Sequence, residues 1–488
     1  MSEVLYWAAE VLLLGGSLRS RRWAMMVMAL SLPLSRRLPA LPVPFLNYQS
    51  LLFAAVLLSF AIHPAEKKAP GGPVHFGIPL AIMGLLLTAS YVTTLVTFTP
   101  VKFWRLWDPY RNAFMFRAAI FCLLCYVLAS LGVRTREDLL GVLRAGAAGV
   151  ILESLYGLAE AILRRPSRLT GHMVEPNNMG CYVATGLVLL LALALVLKWR
   201  HPVGKAAIVG MACAFPVLLG TLSRGAWLGA GAGFVLLGAL LNRKVLAAGM
   251  VVLALNVLWL PENVRARLAE TFTSEEENNW RLRDGKGAEA SALIAMINEQ
   301  LEEEAAIGEI EEGQTRLDPS LQARLIVWTI AAQMIQDYPF GVGFGVFPWH
   351  VQFYSDVIQF KATHNIYLKL ATESGIPALL VFLFLIGAFA VRSIRIARAA
   401  PDPEVGAFAW GMLGYLATLS VCALSVDVFF QIEVNGQYWL MMGALLQAPS
   451  VWAATGASAP KVAAGSAWDR SPDGVLPPPE PLRGRNGA

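Results

Sequence analysis

The stretch NMGCYVATGLVLLLALALVLK, residues 178–198, indicates what kind of fold this chain adopts. It contains no charged side chain before Lys198, and it is long enough to cross a bilayer, which takes about 20 apolar residues in a helix. Because hydrocarbon offers no hydrogen-bonding partners, the backbone of such a segment has to satisfy itself as an α-helix. Residues 178–198 are therefore predicted to form a transmembrane helix.

Apolar stretches of this kind recur along the chain and predict about 12 or 13 transmembrane helices. The other predicted spans lie at 4–17, 23–35, 47–63, 76–98, 113–133, 139–163, 205–222, 225–241, 245–260, 367–391, 404–425 and 432–449. Of the 488 residues, 56% are hydrophobic and only 15% are charged, whereas soluble proteins carry roughly 25% charged residues. The alternation of apolar and polar residues that is typical of barrel strands is missing from the sequence. The predicted fold class is an all-α polytopic membrane protein.

The positions of the spans divide the chain into four parts. These are an N-terminal transmembrane bundle at 1–260, a large loop at 261–366, C-terminal transmembrane helices at 367–450 and a tail at 451–488. The tail is rich in Ala, Gly and Pro, a composition that predicts a disordered segment.

The distribution of Lys and Arg predicts the orientation of the chain in the membrane. One alternating set of loops is basic and contains Arg19, Arg21, Arg22, Lys67, Lys68, Arg134, Arg136, Lys198, Arg200, Lys205, Arg243, Lys244, Arg392, Arg395 and Arg398. By the positive-inside rule, this set and the tail lie in the cytoplasm. The loops around 175–178 and 223–225 and the long loop at 261–366 are then expected on the opposite, non-cytoplasmic face.

Other features of the composition exclude several function classes. The net charge of +5 comes from short loops of ordinary membrane topology, so no nucleic acid partner is expected. The five cysteines all fall inside apolar stretches without ligand or disulfide spacing, which favours a packing role. Neither an HExxH nor a DxD motif occurs, and no metal site or cofactor is expected. The N-terminus lacks a basic n-region, so a cleaved signal peptide is not expected.

The long loop contains two segments with helical periodicity. Residues 292–305 combine apolar and acidic residues at helical spacing, which favours a solvated amphipathic helix. A second helix is bounded by Asp318 and Pro319 at its start and by Tyr338-Pro339 at its end. Its apolar stripe is predicted to contain Leu321, Leu325, Trp328, Ala332 and Ile335, with Arg324 at the edge. We expect this helix to lie at the membrane interface with Arg324 facing inward.

Three basic side chains at the non-cytoplasmic face could carry chemistry. Arg224 lies between two apolar spans with almost no loop, where it either snorkels to the surface or binds phosphate through its guanidinium fork. His364 lies where the long loop re-enters the membrane, and it either packs and caps there or accepts a proton. Arg324 is expected on the same face. Two arginines nearby would lower the pKa of His364 and keep the imidazole neutral, as a base must be.

Two further segments have both a structural and a functional interpretation. Glu175 and Asn177 could cap the following span, or they could line a polar ligand site together with Arg168. The sequence GVGFG at 341–345 is either a tight turn or a set of backbone amides that hold diphosphate oxygens. It is not a dinucleotide-binding motif, because no strand precedes it.

Read in order, these segments resemble the bacterial O-antigen ligase and O-antigen polymerase superfamily. The resemblance is carried by SRGAW at 223–227, RLIVW at 324–328, PFGVGFG at 339–345, HNIYL at 364–368 and ESGIP at 373–377. It is specific over about 175–390 and extends to the remainder only through the number of helices.

The resemblance implies a metal-independent, inverting membrane glycosyltransferase of the bacterial inner membrane with a periplasmic active face. Such enzymes transfer a glycan from undecaprenyl diphosphate to an acceptor hydroxyl. The acceptor is the lipid A–core in ligases, a second lipid-linked glycan in polymerases, or a protein side chain in related enzymes. By motif, His364 matches the essential histidine, and Arg224 and Arg324 match the arginines that hold the diphosphate.

The sequence leaves two interpretations outside the enzyme class. A lipid or polysaccharide transporter or flippase would place polar residues at the midplane of several spans or show repeated halves with broken helices, and the sequence shows neither. A non-enzymatic assembly partner is the other alternative. Within the enzyme class, the sequence does not identify the acceptor, although the missing protein-binding domain favours a polysaccharide ligase or polymerase.

Overall fold

The structure, a computed structural model, describes residues 3–35, 47–64, 74–98, 109–244, 246–247, 319–354 and 362–454. The predicted span at 245–260, the predicted helix at 292–305 and the tail lie essentially outside the described residues. Every regular element among the described residues is a helix, and no strand occurs there, which confirms the all-α prediction.

Sixteen α-helices, named here in chain order, form most of the described part of the protein. They are α1 (Glu3–Ser17), α2 (Arg21–Ser31), α3 (Tyr48–Ile62), α4 (Gly77–Phe98), α5 (Pro109–Gly132), α6 (Arg136–Leu163), α7 (Pro176–Leu197), α8 (Pro202–Gly220), α9 (Arg224–Leu241), α10 (Pro319–Asp337), α11 (Phe347–His350), α12 (Ile366–Lys369), α13 (Gly375–Ala399), α14 (Pro403–Cys422), α15 (Ile432–Leu445) and α16 (Ala448–Ala454). A π-helical turn at Leu370–Ser374 joins α12 to α13.

Within the described residues, 8 helical segments are long and apolar enough to cross a membrane. They are α4 to α9, α14, and the continuous segment Ile366–Ala399 that contains α12, the π turn and α13. The predicted spans at 4–17, 23–35, 47–63 and 432–449 form the shorter helices α1, α2, α3 and α15. The chain is therefore a multi-pass membrane protein, as its hydropathy predicts.

Helix α7 lies at the centre of the bundle, where it packs against α8, α9 and α14. Small residues permit this close packing: a Cβ at Gly186 would overlap Val150 of α6, and a Cβ at Gly411 would overlap Leu189 of α7. Glycines at helix contacts allow the backbones to approach, which is the usual source of association between helices in lipid.

The two ends of the bundle differ in chemistry. At one end, called here the far end, Arg136 of α6 pairs with Asp402 at 2.6 Å and Arg144 pairs with Glu404 of α14 at 2.6 Å. Helices α6 and α14 therefore start together and run in the same direction. They end at the opposite end, called here the site end, where α7 and α9 begin.

The helix predicted at the end of the long loop is confirmed as α10, but its predicted buried stripe is wrong. The buried residues are Val327, Ile330, Ala331 and Met334, while Leu325 is 42% exposed and Ala332 is also exposed. The reason is tertiary: the buried face packs against Val342, Val346, Phe347 and Val351, which follow α10 in the chain. Arg324 is half-buried and lies one turn before Val327 and Trp328.

Candidate active site

His364 occupies a turn whose backbone is held from both sides. The indole Nε1 of Trp328 in α10 donates to the carbonyl of Thr363 at 3.0 Å, and the amide of Ile366 donates to the carbonyl of Ala423 at 3.0 Å. The Asn365 side chain caps α12 by accepting from the Tyr367 amide at 3.0 Å. His364 itself has φ +46° and an exposed side chain. A fixed backbone thus presents an accessible imidazole.

The electrostatic surroundings of His364 come from four separate parts of the chain. Partial desolvation is the largest effect and lowers the pKa of the imidazole; Arg324 and Lys369 lower it further. Asp427 and Glu175 oppose this and raise the pKa. Charges act over short distances, since the screening length is about 8 Å at physiological ionic strength. Residues from the start of α7, from α10, from α12 and from the 423–431 segment therefore surround one histidine.

Asp427 lies in the segment between α14 and α15. Its Oδ2 lies 3.5 Å from Nζ of Lys369, and the two side chains are 15% and 14% exposed. Sequence reasoning missed this pair, because VDVFF at 426–430 reads as an apolar connection between two spans. The available signal was a lone carboxylate flanked by apolar residues in the connection between two predicted spans.

Arg224 begins α9 beside the same segment. The Sγ of Cys422 lies 3.8 Å from the carbonyl of Gly225, and a Cβ at Gly225 would overlap Ser425. Since Ala423 bonds to Ile366, the segment that follows α14 contacts Gly225 on one side and the His364 turn on the other. Arg224, Arg324 and His364 thus all lie at the site end.

Arg168, Asn177 and Glu175 form a connected network next to Arg224. Arg168 donates from Nε to the carbonyl of Thr221 at 2.9 Å and from Nη2 to Oδ1 of Asn177 at 3.1 Å. Asn177 donates to Glu175 at 2.9 Å, and Glu175 accepts from the Asn178 amide as the N-cap of α7. The predicted cap is therefore present. Arg168 stabilises the turn that precedes Arg224 through its hydrogen bond to Thr221.

Two buried carboxylates of α6, which sequence reasoning missed, hold the loop that carries Arg168. Glu153 accepts from both the Nδ1 and the backbone amide of His172, each at 2.7 Å. Glu160 accepts from the amide of Gly171 at 2.8 Å. The two glutamates lie seven residues apart on one face of α6, a spacing that could have been noticed in the sequence. His172 thus has a structural partner.

The glycine loop at 341–345 is a structural turn. Its amides already have protein acceptors: Val342 donates to Thr372 O at 2.9 Å, Gly343 to Glu373 O at 3.0 Å, Phe344 to Ser90 O at 3.2 Å and Gly345 to the Glu373 carboxylate at 2.9 Å. The alternative in which these amides hold diphosphate oxygens is therefore wrong. Instead the loop joins α10 to α4 and to the π turn before α13.

Substitution of Gly341 should destabilise this junction. Its φ is +89°, and a Cβ there would lie 2.5 Å from the carbonyl O of Glu373 and 2.7 Å from the backbone N of Gly375. We expect Gly341→Ala to lower the stability of the detergent-purified protein by about 1–3 kcal/mol, measured by thermal unfolding. Gly231→Ala is the control, because a Cβ at Gly231 meets nothing within 4 Å. Equal melting temperatures for the two variants would contradict this account of the loop.

Residues 209–383 of the chain match the family described as O-Antigen ligase. The match extends from α8 into α13 and includes Arg224, Arg324 and His364, and it confirms the resemblance to the O-antigen ligase and polymerase superfamily. Among curated protein sequences, none matches the chain.

Proposed function

We propose that this chain, a multi-pass membrane protein with an O-antigen ligase domain at 209–383, transfers a glycan from undecaprenyl diphosphate to an acceptor hydroxyl. The family supports a glycan-transfer enzyme in general, which acts on a lipid-linked glycan and an acceptor. The observation that carries the specific proposal is the position of His364, which lies within the electrostatic reach of Arg324. The segment that follows α14 contacts both the His364 turn and Gly225, the residue next to Arg224.

The proposed chemistry needs one base and one site for a leaving group. The acceptor oxygen attacks the anomeric carbon, the bond from that carbon to the diphosphate oxygen breaks, and the configuration inverts. Arg224 and Arg324 hold the departing diphosphate, since a guanidinium fork matches phosphate oxygens. His364 takes the proton of the acceptor hydroxyl. Two guanidinium groups supply the positive charge that a metal ion supplies in other transferases.

The pKa of His364 suits this role. The unperturbed imidazole has a pKa of about 6.5, and here desolvation, Arg324 and Lys369 lower it. A lowered pKa keeps the imidazole neutral near pH 7, and only the neutral form accepts a proton. Asp427 and Glu175 limit the decrease and stabilise the imidazolium that forms during transfer.

Exposed apolar side chains around the site support its location at the membrane interface. Phe340 is 82% exposed, Leu228 70% and Leu424 46%. All three lie at the site end, and large apolar residues at this depth fit a region in contact with lipid. A prenyl tail could therefore reach the site laterally. Together with the basic loops at the far end, this favours a periplasmic site in the bacterial inner membrane.

The charges of Asp427 and Lys369 should shift the pH at which the acid limb of the pH–rate profile falls. Because Asp427 raises the pKa of His364, we expect Asp427→Asn to move the acid limb of kcat/KM to lower pH, and Lys369→Gln to move it to higher pH. The measurement is kcat/KM for glycan transfer across the pH range. Glu137→Gln makes the same charge change on an exposed residue at the far end and should leave the limb unmoved. Shifts of the same sign in both site variants would refute the electrostatic explanation.

The proposal is tested by reconstitution. Purified protein is incubated with lipid-linked glycan and, in separate reactions, with lipid A–core, a second lipid-linked glycan or an acceptor protein. Formation of a glycosylated product with one acceptor supports the proposal and identifies the acceptor. Translocation of the glycan across proteoliposomes without any transfer would overturn it in favour of a transporter.

A further inference from the structure

A groove on the bilayer-facing surface lies between the start of α4 and the second half of α13. It is open to the surroundings and has a volume of about 610 Å³, and its lining includes His75, Phe384, Gly387, Arg392 and Arg395. It lies towards the far end of the bundle, because α13 begins at the site end and these residues lie in its later turns. The groove is therefore separate from the candidate active site.

The lining of this groove changes from apolar to basic along α13. Phe384 and Gly387 come first, and Arg392 and Arg395 follow towards the end of the helix. Phe384 and Arg395 are about 16 Å apart along the axis at 1.5 Å per residue, which is close to half of the roughly 30 Å hydrocarbon core. One end of the groove thus lies at the depth of acyl chains, and the other at the depth of headgroups.

The basic end contains two buried polar atoms that could bind a ligand. The Nε of Arg392 and the Nε2 of His75 are buried, and neither has a hydrogen-bonding partner among the described residues. Leaving such a donor unsatisfied costs free energy. Burial and the charge of Arg392 lower the pKa of His75, so the positive charge at this end comes from the arginines. A ligand with anionic oxygens would accept hydrogen bonds from these atoms and would balance the positive charge of the arginines.

The exposed apolar side chains near the groove indicate that such a ligand would come from the bilayer. Ile78 is 77% exposed, Phe384 55% and Val391 49%, so the rim of the groove faces lipid. A Cβ at Gly387 would meet nothing within 4 Å, which leaves room for an alkyl chain beside the helix.

We propose that this groove binds an anionic glycerophospholipid of the far-end leaflet, with its phosphate at Arg392 and Arg395 and an acyl chain along Phe384 and Gly387. Guanidinium groups bind phosphate oxygens through paired hydrogen bonds. The proposal does not depend on the glycan-transfer function.

The first test compares lipids and charges. The full-length protein is purified in detergent, and the binding of added phosphatidylglycerol, phosphatidylcholine or inorganic phosphate is measured by native mass spectrometry. We expect a preference for phosphatidylglycerol and a loss of about fivefold in its affinity for each of Arg392→Gln and Arg395→Gln. Arg398→Gln removes the same charge from an exposed position on the same helix outside the groove, and it should keep the affinity.

The second test fills the groove without changing charge. Gly387→Leu should abolish the preference for phosphatidylglycerol while retaining the fold, because leucine favours a helix interior more than glycine does. Gly231→Leu, at an equally open position of α9, should keep the preference. Three results would overturn the proposal: equal binding of the two lipids by the unmodified protein, unchanged binding in Gly387→Leu, or displacement of the lipid by inorganic phosphate, which would indicate a soluble ligand.

Discussion

Replacing His364 should lower the rate of glycan transfer by about 10²–10⁴-fold, the range typical of a lost general base. The side chain is exposed, so its removal leaves no cavity in the core. The choice of substitution matters, because the φ of residue 364 is +46° and alanine adopts this left-handed region less readily than histidine or asparagine. We therefore expect His364→Asn to lose activity as fully as His364→Ala while retaining the turn better.

The measurement is transfer by purified protein, with the melting temperature recorded beside the rate. His201→Ala is the control, because His201 caps α8 at the far end and should leave the rate unchanged. Normal product from His364→Asn would remove this residue from the mechanism. A loss of rate that follows a loss of folded protein would reduce it to a structural role.

Replacing Arg324 or Arg224 should lower kcat by about 10²–10³-fold, since the loss of one preorganised donor to a developing negative charge costs about 2.7–4 kcal/mol. Lysine should not restore the rate at either position, because an ammonium group cannot reproduce the guanidinium fork. Arg324→Gln should in addition raise the pKa of His364, because Arg324 lowers it in the native protein. The acid limb of its profile should then move to higher pH.

Arg164→Gln is a matched control for both arginines, because Arg164 is an exposed arginine at the site end. It should retain the rate of the native protein. Full activity in Arg224→Lys and Arg324→Lys would indicate that charge alone is needed there. A decrease of kcat in Arg164→Gln as large as in the Arg224 and Arg324 variants would indicate a general effect of surface charge.

The fold could be predicted because its main determinant is local. In hydrocarbon, a run such as residues 178–198 without the alternation of barrel strands satisfies its backbone hydrogen bonds as a helix, whatever its neighbours are. Proline signals likewise place the limits of α10 correctly. The buried face of α10 could not be predicted, because the residues that cover it, Val342 to Val351, form no regular pattern with the helix.

The site could be predicted only in part. Motif order indicates His364, Arg224 and Arg324, and the structure places all three at one end of the bundle. Asp427 and Glu153 were missed, since a carboxylate in an apolar stretch acquires its meaning from a partner far away in the chain. The glycine loop shows the opposite error: its sequence resembles a phosphate-binding turn, but its amides are occupied by Thr372, Glu373 and Ser90. Long-range hydrogen bonds of this kind leave no trace in local sequence.

The most direct test of the central claim is an electron cryo-microscopy structure of the full-length protein in a lipid nanodisc with a lipid-linked glycan bound. The account predicts density for the two phosphates between Arg224 and Arg324, with the anomeric carbon facing His364. Diphosphate density at the far end near Arg392, or on the site end but out of reach of His364, would contradict it.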